Sequence, residues 1–162
     1  MIRFSRREDE IQIRLLLRLC FENRIDDSCT DNLDGRYLVF EDNKRIIAVT
    51  GLKKIHNYKD GVEVDWSCTH PEFRHRGIMH QLFERMLEMT DENIYCSCWK
   101  MDGKDKVELH SLMENFEFEC ILEGHIKHNA IKCSCTDKQV CRNFHKGCMC
   151  QEDLYVRRGA QE

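Results

Sequence analysis

The sequence has no apolar run approaching the length that spans a bilayer, no surplus of basic residues, no internal repeat and no low-complexity tract. Its N-terminus, Met1-Ile-Arg-Phe-Ser-Arg-Arg, lacks the apolar segment of a secretory signal. The missing apolar run argues against a membrane partner. With 25 Lys and Arg against 29 Asp and Glu, the net charge is −4 and the pI near 6.1, so no basic face is offered to nucleic acid. The expectation is a cytoplasmic monomer or homodimer. A chain of 162 residues can bury one substantial core, which predicts a single domain. Proline occurs once, as Pro71, whereas cysteine occurs 11 times. Without an export signal, that many cysteines read as thiols or metal ligands rather than a disulfide scaffold.

The most informative stretch runs from Val62 to Met79. Val62, Val64, Trp66 and Cys68 alternate with Glu63, Asp65, Ser67 and Thr69, the period-two pattern of a strand. Pro71 ends the ladder. From Ile78, apolar residues at Ile78, Met79, Leu82, Phe83, Met86 and Leu87 have helical spacing. Between strand and helix lies a basic turn containing Arg74, Arg76 and Gly77. Unpaired N–H groups and the positive dipole end of such a helix favour an anion the size of a phosphate.

Around this unit, Ile2 to Ser5 reads as a strand and about Glu8 to Asn23 as a helix with an apolar stripe of Ile11, Leu15, Leu16, Leu19 and Cys20. Asp26 to Gly35 reads as an acidic loop. Tyr37 to Phe40 and Arg45 to Leu52 are β-rich runs joined by a hairpin signal, and Asn57 to Gly61 turns the chain into the next strand. Ile94 to Trp99, Phe116 to Ile126 and Asp153 to Arg157 follow as strands, with a short helix over Lys106 to Glu114. The order is that of an α/β protein with a mixed sheet.

Thr69-x-Pro71-Glu-Phe-Arg74-His75-Arg76-Gly77-Ile78-Met79, in that order of elements, resembles the pyrophosphate loop of the GCN5-related N-acetyltransferases, the GNAT family. The family pattern is Arg/Gln-x-x-Gly-x-Gly/Ala. This chain keeps Arg74 and Gly77 but has Met79 at the third position and His75 where glycine is frequent. The resemblance covers about Met1 to Ile126 and Asp153 to Arg158. It implies a central, mixed but mostly antiparallel sheet flanked by helices, with the acetyltransferase domain over 1–158, a Cys-rich insertion at 127–152 and a tail at 159–162.

It also implies that acetyl-CoA lies along Cys68, Thr69, His70, Arg74, His75, Arg76, Gly77, Ile78 and Met79. Its pantetheine arm would follow a strand that splays from the one near Ile94, where an N–H could hold the thioester oxygen. An amine of a small molecule or protein would then attack directly, without a side-chain nucleophile. Glu63 and Asp65 are the candidate bases, alongside the reading that they are merely solvated or paired. The tyrosine that many members use as the acid corresponds to about Met113, leaving His110 and Ser111 as substitutes. The alternative is a noncatalytic acyl-CoA-binding or metal- or redox-responsive interaction module.

Cys133, Cys135, Cys141, Cys148 and Cys150 place five thiols in eighteen residues, with His145 among them and His125 and His128 upstream. Two Cys-x-Cys pairs bracketing a loop suit a closed, structural zinc site, with unliganded or redox-active thiols as the alternative. Cys20, Cys96 and Cys98 read as small apolar core residues, and Cys68 as core by the parity of Val64 and Trp66. Asp26, Asp27, Asp31 and Asp34 form a charge run that reads as solvated, or as an attractor for a cationic amine.

Overall fold

The computed structural model describes residues 1–21, 37–54, 60–100, 105–127 and 151–159, without the side chains of 125–127. Its order is β1 (Ile2–Phe4), α1 (Glu10–Phe21), β2 (Tyr37–Asp42), β3 (Arg45–Lys54), β4 (Gly61–Val64), β5 (Cys68–Thr69), α2 (Ile78–Leu87), β6 (Asn93–Lys100), α3 (His110–Asn115), β7 (Glu119–Lys127) and β8 (Gln151–Arg157). These eight strands form one sheet in the order β1-β2-β3-β4-β6-β8-β7, with β5 also on β3. All pairings are antiparallel except β4 with β6. The expected mixed, mostly antiparallel sheet flanked by helices is therefore present as a single domain.

The β2–β3 connection is tighter than the expected strand ends, Phe40 and Arg45, suggest. Only Asn43 and Lys44 lie outside the strands, with φ of 49° and 67°, the left-handed pair that matches the twist of a two-residue hairpin.

Among the described residues, the two larger cores lie on opposite faces of the sheet, with a small third cluster of Tyr95, Leu154 and Val156 on β6 and β8. On one, α2 contributes Ile78, Leu82, Phe83 and Met86 and the α3 region Val107, Met113 and Phe118, packed on Leu38, Ala48, Val62, Ile94, Cys96 and Cys98. Each large apolar side chain so buried contributes about 1.5–3 kcal/mol. On the other, α1 packs Ile13, Leu16 and Leu17 on Tyr37, Val39, Ile46, Val49 and Cys68.

Helix α1 corrects the expected stripe. Ile13, Leu16 and Leu17 are buried, while Ile11, Leu15 and Leu19 are 72%, 60% and 52% exposed. The sequence carries two apolar rows at helical spacing, and only contact with the sheet selects between them. Boundaries also move: α3 spans His110–Asn115, and β7 and β8 claim residue 127 and residues 151–152 from the expected insertion.

The strand alternation expected through Cys68 is broken. Leu52 pairs with Val64 and Lys53 with Glu63, but Ala48 pairs with Thr69 and Val49 with Cys68, so the 64–69 side carries one extra residue. This β-bulge reverses the facing of every residue beyond it. Val64 packs on the α2 side, whereas Trp66 and Cys68 pack with α1. Cys68 is buried as expected, but on the face opposite Val64.

Strands β4 and β6 touch over three pairs only, Gly61–Asn93, Val62–Ile94 and Glu63–Tyr95. Their approach depends on Gly61, where a Cβ would come within 2.2 Å of the Asn93 carbonyl oxygen. Gly61→Ala should therefore destabilise the fold by about 2 kcal/mol or more, read as a lower midpoint in urea denaturation.

Candidate active site

The basic turn is held in shape by its own residues. A single 3-10 turn over Pro71–Phe73 follows His70, whose Nδ1 accepts from the Glu72 N–H at 3.3 Å. Arg76 packs its guanidinium over the Phe73 ring at 5.0 Å and donates to the Glu72 carbonyl at 3.0 Å. Arg74 donates from Nε to the Thr69 carbonyl at 3.2 Å. Arg74, His75, Arg76 and Gly77 are all exposed.

Two residues of this turn are left-handed, His75 with φ 59° and Gly77 with φ 70°. Gly77 is needed for that dihedral, since a Cβ there would meet nothing within 4 Å. The same geometry explains why glycine suits position 75, where His75 carries a strain of about 1–2 kcal/mol.

Gly77 caps α2 with no side-chain hydrogen bond, and the first turn has no acidic residue. The first N–H groups of the helix therefore keep their donor capacity and positive potential for an external anion. Ile78 is buried in the α2 core and Met79 packs half-buried against it, so both offer the site their backbone only. That is how Met79 is accommodated at a position where a small residue is usual.

Among the three residues expected along the cofactor strand, the backbone separates the roles. The His70 N–H is committed to the Ile47 carbonyl at 2.8 Å. Antiparallel alternation then puts the Cys68 N–H toward β3 as well and turns Thr69 N–H and C=O away from it, toward the opening between β5 and β6. The Thr69 carbonyl accepts from Arg74 and, at 3.5 Å, from the thiol of Cys20 on α1.

Glu63 stands at the last β4–β6 pair, where the strands part. Its side chain is 17% exposed and lies 3.7 Å from Lys53 Nζ, with the Ser97 hydroxyl on β6 also favouring its charged form. Burial raises its pKa, outweighing the opposing pull of Lys53 and Ser97, and the charges of Asp65 and Glu152 push the same way. Asp65 is more enclosed, at 4% side-chain exposure, accepting from the Tyr37 hydroxyl at 2.5 Å and from Lys53 Nζ at 3.4 Å. Both carboxylates lie on the α1 face, and the bulge places Thr69 on the other, correcting the expectation that all three share one face.

Met113 is fully buried in the α2 core and contributes no acid. His110 lies 3.0 Å from Glu114 and 2.7 Å from Lys106 Nζ, and Ser111 is exposed. Cys133, Cys135, Cys141, Cys148 and Cys150 lie outside the described residues, as do His128, His145 and the acidic loop. Among the described residues, no group of three or more His, Cys, Asp or Glu could hold a metal ion, and no helix is long and apolar enough to cross a membrane.

The model of the acetyltransferase (GNAT) family matches residues 6–112, about two thirds of the chain, and the chain belongs to that family. A search of curated proteins finds none that matches the sequence. Among solved structures, an aminoglycoside 6'-N-acetyltransferase complexed with coenzyme A is similar over 100% of this chain and 98% of its own, with TM-score 0.70 and 13% identity. An N-acetyltransferase from Staphylococcus aureus Mu50 matches over 98% of this chain and 97% of its own, with TM-score 0.65 and 13% identity. The N-acetylglutamate synthase from Neisseria gonorrhoeae, complexed with coenzyme A and N-acetyl-glutamate, covers 99% of this chain but only 35% of its own, with TM-score 0.67 and 13% identity. These likenesses show the fold.

Sequence reasoning missed Lys53, Tyr37 and Ser97, which surround the two carboxylates, because strand pairing alone brings them there. Glu63 makes a checkable cost. Its pKa is raised by folding, so its destabilising effect is absent at low pH, where it is protonated folded or unfolded, and present once pH exceeds its folded pKa. Glu63→Gln should raise Tm at pH 8 and leave it nearly unchanged at pH 3.5, compared by thermal denaturation.

Proposed function

We propose that this chain transfers an acetyl group from acetyl-CoA to a primary amine by direct attack. The observation that carries this reading is the alignment of three groups along one opening. The uncapped, Arg-flanked N-terminus of α2 offers a pyrophosphate site, the Thr69 backbone turns into the gap between β5 and β6, and Glu63 stands where that gap begins.

In this reading the N–H groups from His75 to Met79 hold the pyrophosphate, the Arg74 N–H being committed to the Pro71 carbonyl, and the Arg74 and Arg76 side chains add positive charge. The pantetheine arm follows β5, and the Thr69 N–H donates to the thioester oxygen as negative charge develops there. Glu63 takes the proton of the amine, directly or through water, and its raised pKa makes it a better proton acceptor near neutrality. Asp65 is held by Tyr37 and Lys53 and fixes Lys53 beside Glu63. With Met113 where the usual acid would stand, the thiolate leaves toward the positive end of α2 and is protonated by water, or by His110 or Ser111 on α3.

Glu63, Asp65 and Glu152 share this side, and their negative charge exceeds that of the adjacent Lys53. This balance favours a cationic acceptor. The absence of the usual tyrosine, with Met113 buried in its place, supports the second reading, a noncatalytic acyl-CoA-binding module.

Calorimetric titration of acetyl-CoA should show saturable binding that is lost in Gly77→Glu and weakened about tenfold or more in Arg76→Glu, each checked for folding by circular dichroism. No binding to folded wild-type protein would overturn the cofactor assignment. Thiol release with a panel of amines should fall at least tenfold in Glu63→Gln, with the acid limb of the pH–rate profile lying above the usual carboxylate range. Binding without thiol release would favour the noncatalytic module.

For the segment within 127–152, we propose a structural zinc ion held by four of Cys133, Cys135, Cys141, Cys148 and Cys150, on the density of thiols alone. Elemental analysis of protein purified without chelator should find about one zinc per chain, and less than about half an equivalent would count against the site.

A further inference from the structure

Cys20 and Cys68 share the α1-side core in an arrangement that the proposed reaction does not use. Cys20 lies in the last turn of α1, half-buried, with its Sγ 3.5 Å from the Thr69 carbonyl oxygen. Cys68 opens β5 and is 7% exposed. Cys20 packs against the α1-side core that contains Cys68, and its thiol and the Arg74 guanidinium meet at the same Thr69 carbonyl, next in the chain to Cys68. This meeting depends on the bulge before Cys68, because unbroken alternation would have turned Cys68 toward α2.

We propose that Cys20 and Cys68 are an oxidisable dithiol, in which a hydroperoxide oxidises Cys20 and Cys68 then closes a disulfide to it. The Cys20 thiolate attacks the distal peroxide oxygen. The O–O bond breaks, the alcohol or water departs with a proton, and Cys20 becomes a sulfenic acid. Cys68 loses its proton, its sulfur attacks the Cys20 sulfur, and the S–O bond breaks with release of water. Overall, two thiols and one hydroperoxide give one disulfide, one alcohol or water molecule, and one further water.

The environments of the two sulfurs divide the roles. The hydrogen bond from Cys68 and the charge of Arg74 lower the Cys20 pKa to about 7, against the opposing effect of burial. The C-terminal end of α1 disfavours a thiolate, so Arg74 supplies the counteracting charge. Cys68 is raised well above the usual thiol range, first by its bond to Cys20 and then by burial, which keeps it the proton donor. The attacking sulfur is thus the more accessible one, and the resolving sulfur belongs to the residue next to the Thr69 carbonyl that the attacking thiol meets.

Cys96 and Cys98 provide an internal comparison. Their sulfurs are 3.5 Å apart, but both are buried in the α2 core, and Cys96 is raised well above the usual thiol range by its bond to Cys98 and by burial. They should remain reduced under conditions that oxidise Cys20.

The test is a titration of the full chain with hydrogen peroxide, followed by peptide mapping without reductant. The expected product is a disulfide-linked peptide pair containing Cys20 and Cys68, lighter by two hydrogens, with Cys96 and Cys98 still alkylatable. In Cys68→Ser, Cys20 should accumulate as a sulfenic acid trapped by dimedone, and in Cys20→Ser, Cys68 should stay unmodified. Alkylation of Cys20 by iodoacetamide should have its pH midpoint near the value above and move upward in Arg74→Ala. Peroxide treatment that leaves Cys20 reduced, or joins it to a different cysteine, would overturn the proposal. Acetyl-CoA binding plays no part in these readouts, so they succeed or fail independently of the acyltransfer reading.

Discussion

The extra residue between Val64 and Thr69 is the constraint on which the site depends. On its N-terminal side, pairing with β3 holds Glu63 and Asp65 toward α1. On its C-terminal side, the pairing is shifted by one, which reverses side-chain facing and turns the backbone of Thr69 away from β3. One local irregularity thus sets the carboxylates, a backbone donor and the Cys68 thiol in their separate directions. A regular strand would offer a continuous ladder and no change of face.

The parting of β4/β5 from β6 follows from the same region. After Glu63 the two strands no longer pair; β5 stays with β3 while β6 continues along β8 to Lys100. A gap in a sheet normally exposes unpaired backbone groups, which are costly when buried. Here the exposed carbonyl of Thr69 is met by Arg74 and Cys20, and the adjoining N-terminus of α2 lacks a side-chain cap. Such unmet donor capacity is tolerated where an external anion can supply the acceptor.

Enclosure then assigns chemistry to similar groups. Asp65 sits among hydrogen-bond donors and stabilises its surroundings, whereas Glu63, less well compensated, keeps the raised proton affinity that suits a base. Cys20 and Cys68 diverge for comparable reasons, one influenced by a guanidinium and the other buried in the core. In both pairs the residue with easier access to solvent carries the more useful reactivity.

The sequence by itself determined the element order, the strand-turn-helix around Gly77 and the family, because hydrophobic period, turn chemistry and the Arg74-to-Gly77 spacing are local properties of the chain. It also marked Glu63 and Asp65 as carboxylates on one strand face. Tertiary structure decided which apolar row of α1 is buried, since Ile11, Leu15 and Leu19 are as regularly spaced as the residues that meet the sheet. It also decided that Cys20 meets Cys68 and that Lys53 stands between Glu63 and Asp65. Those contacts arise from pairing register across strands and from helix docking, and a one-residue shift that leaves the local pattern unremarkable is enough to reverse them.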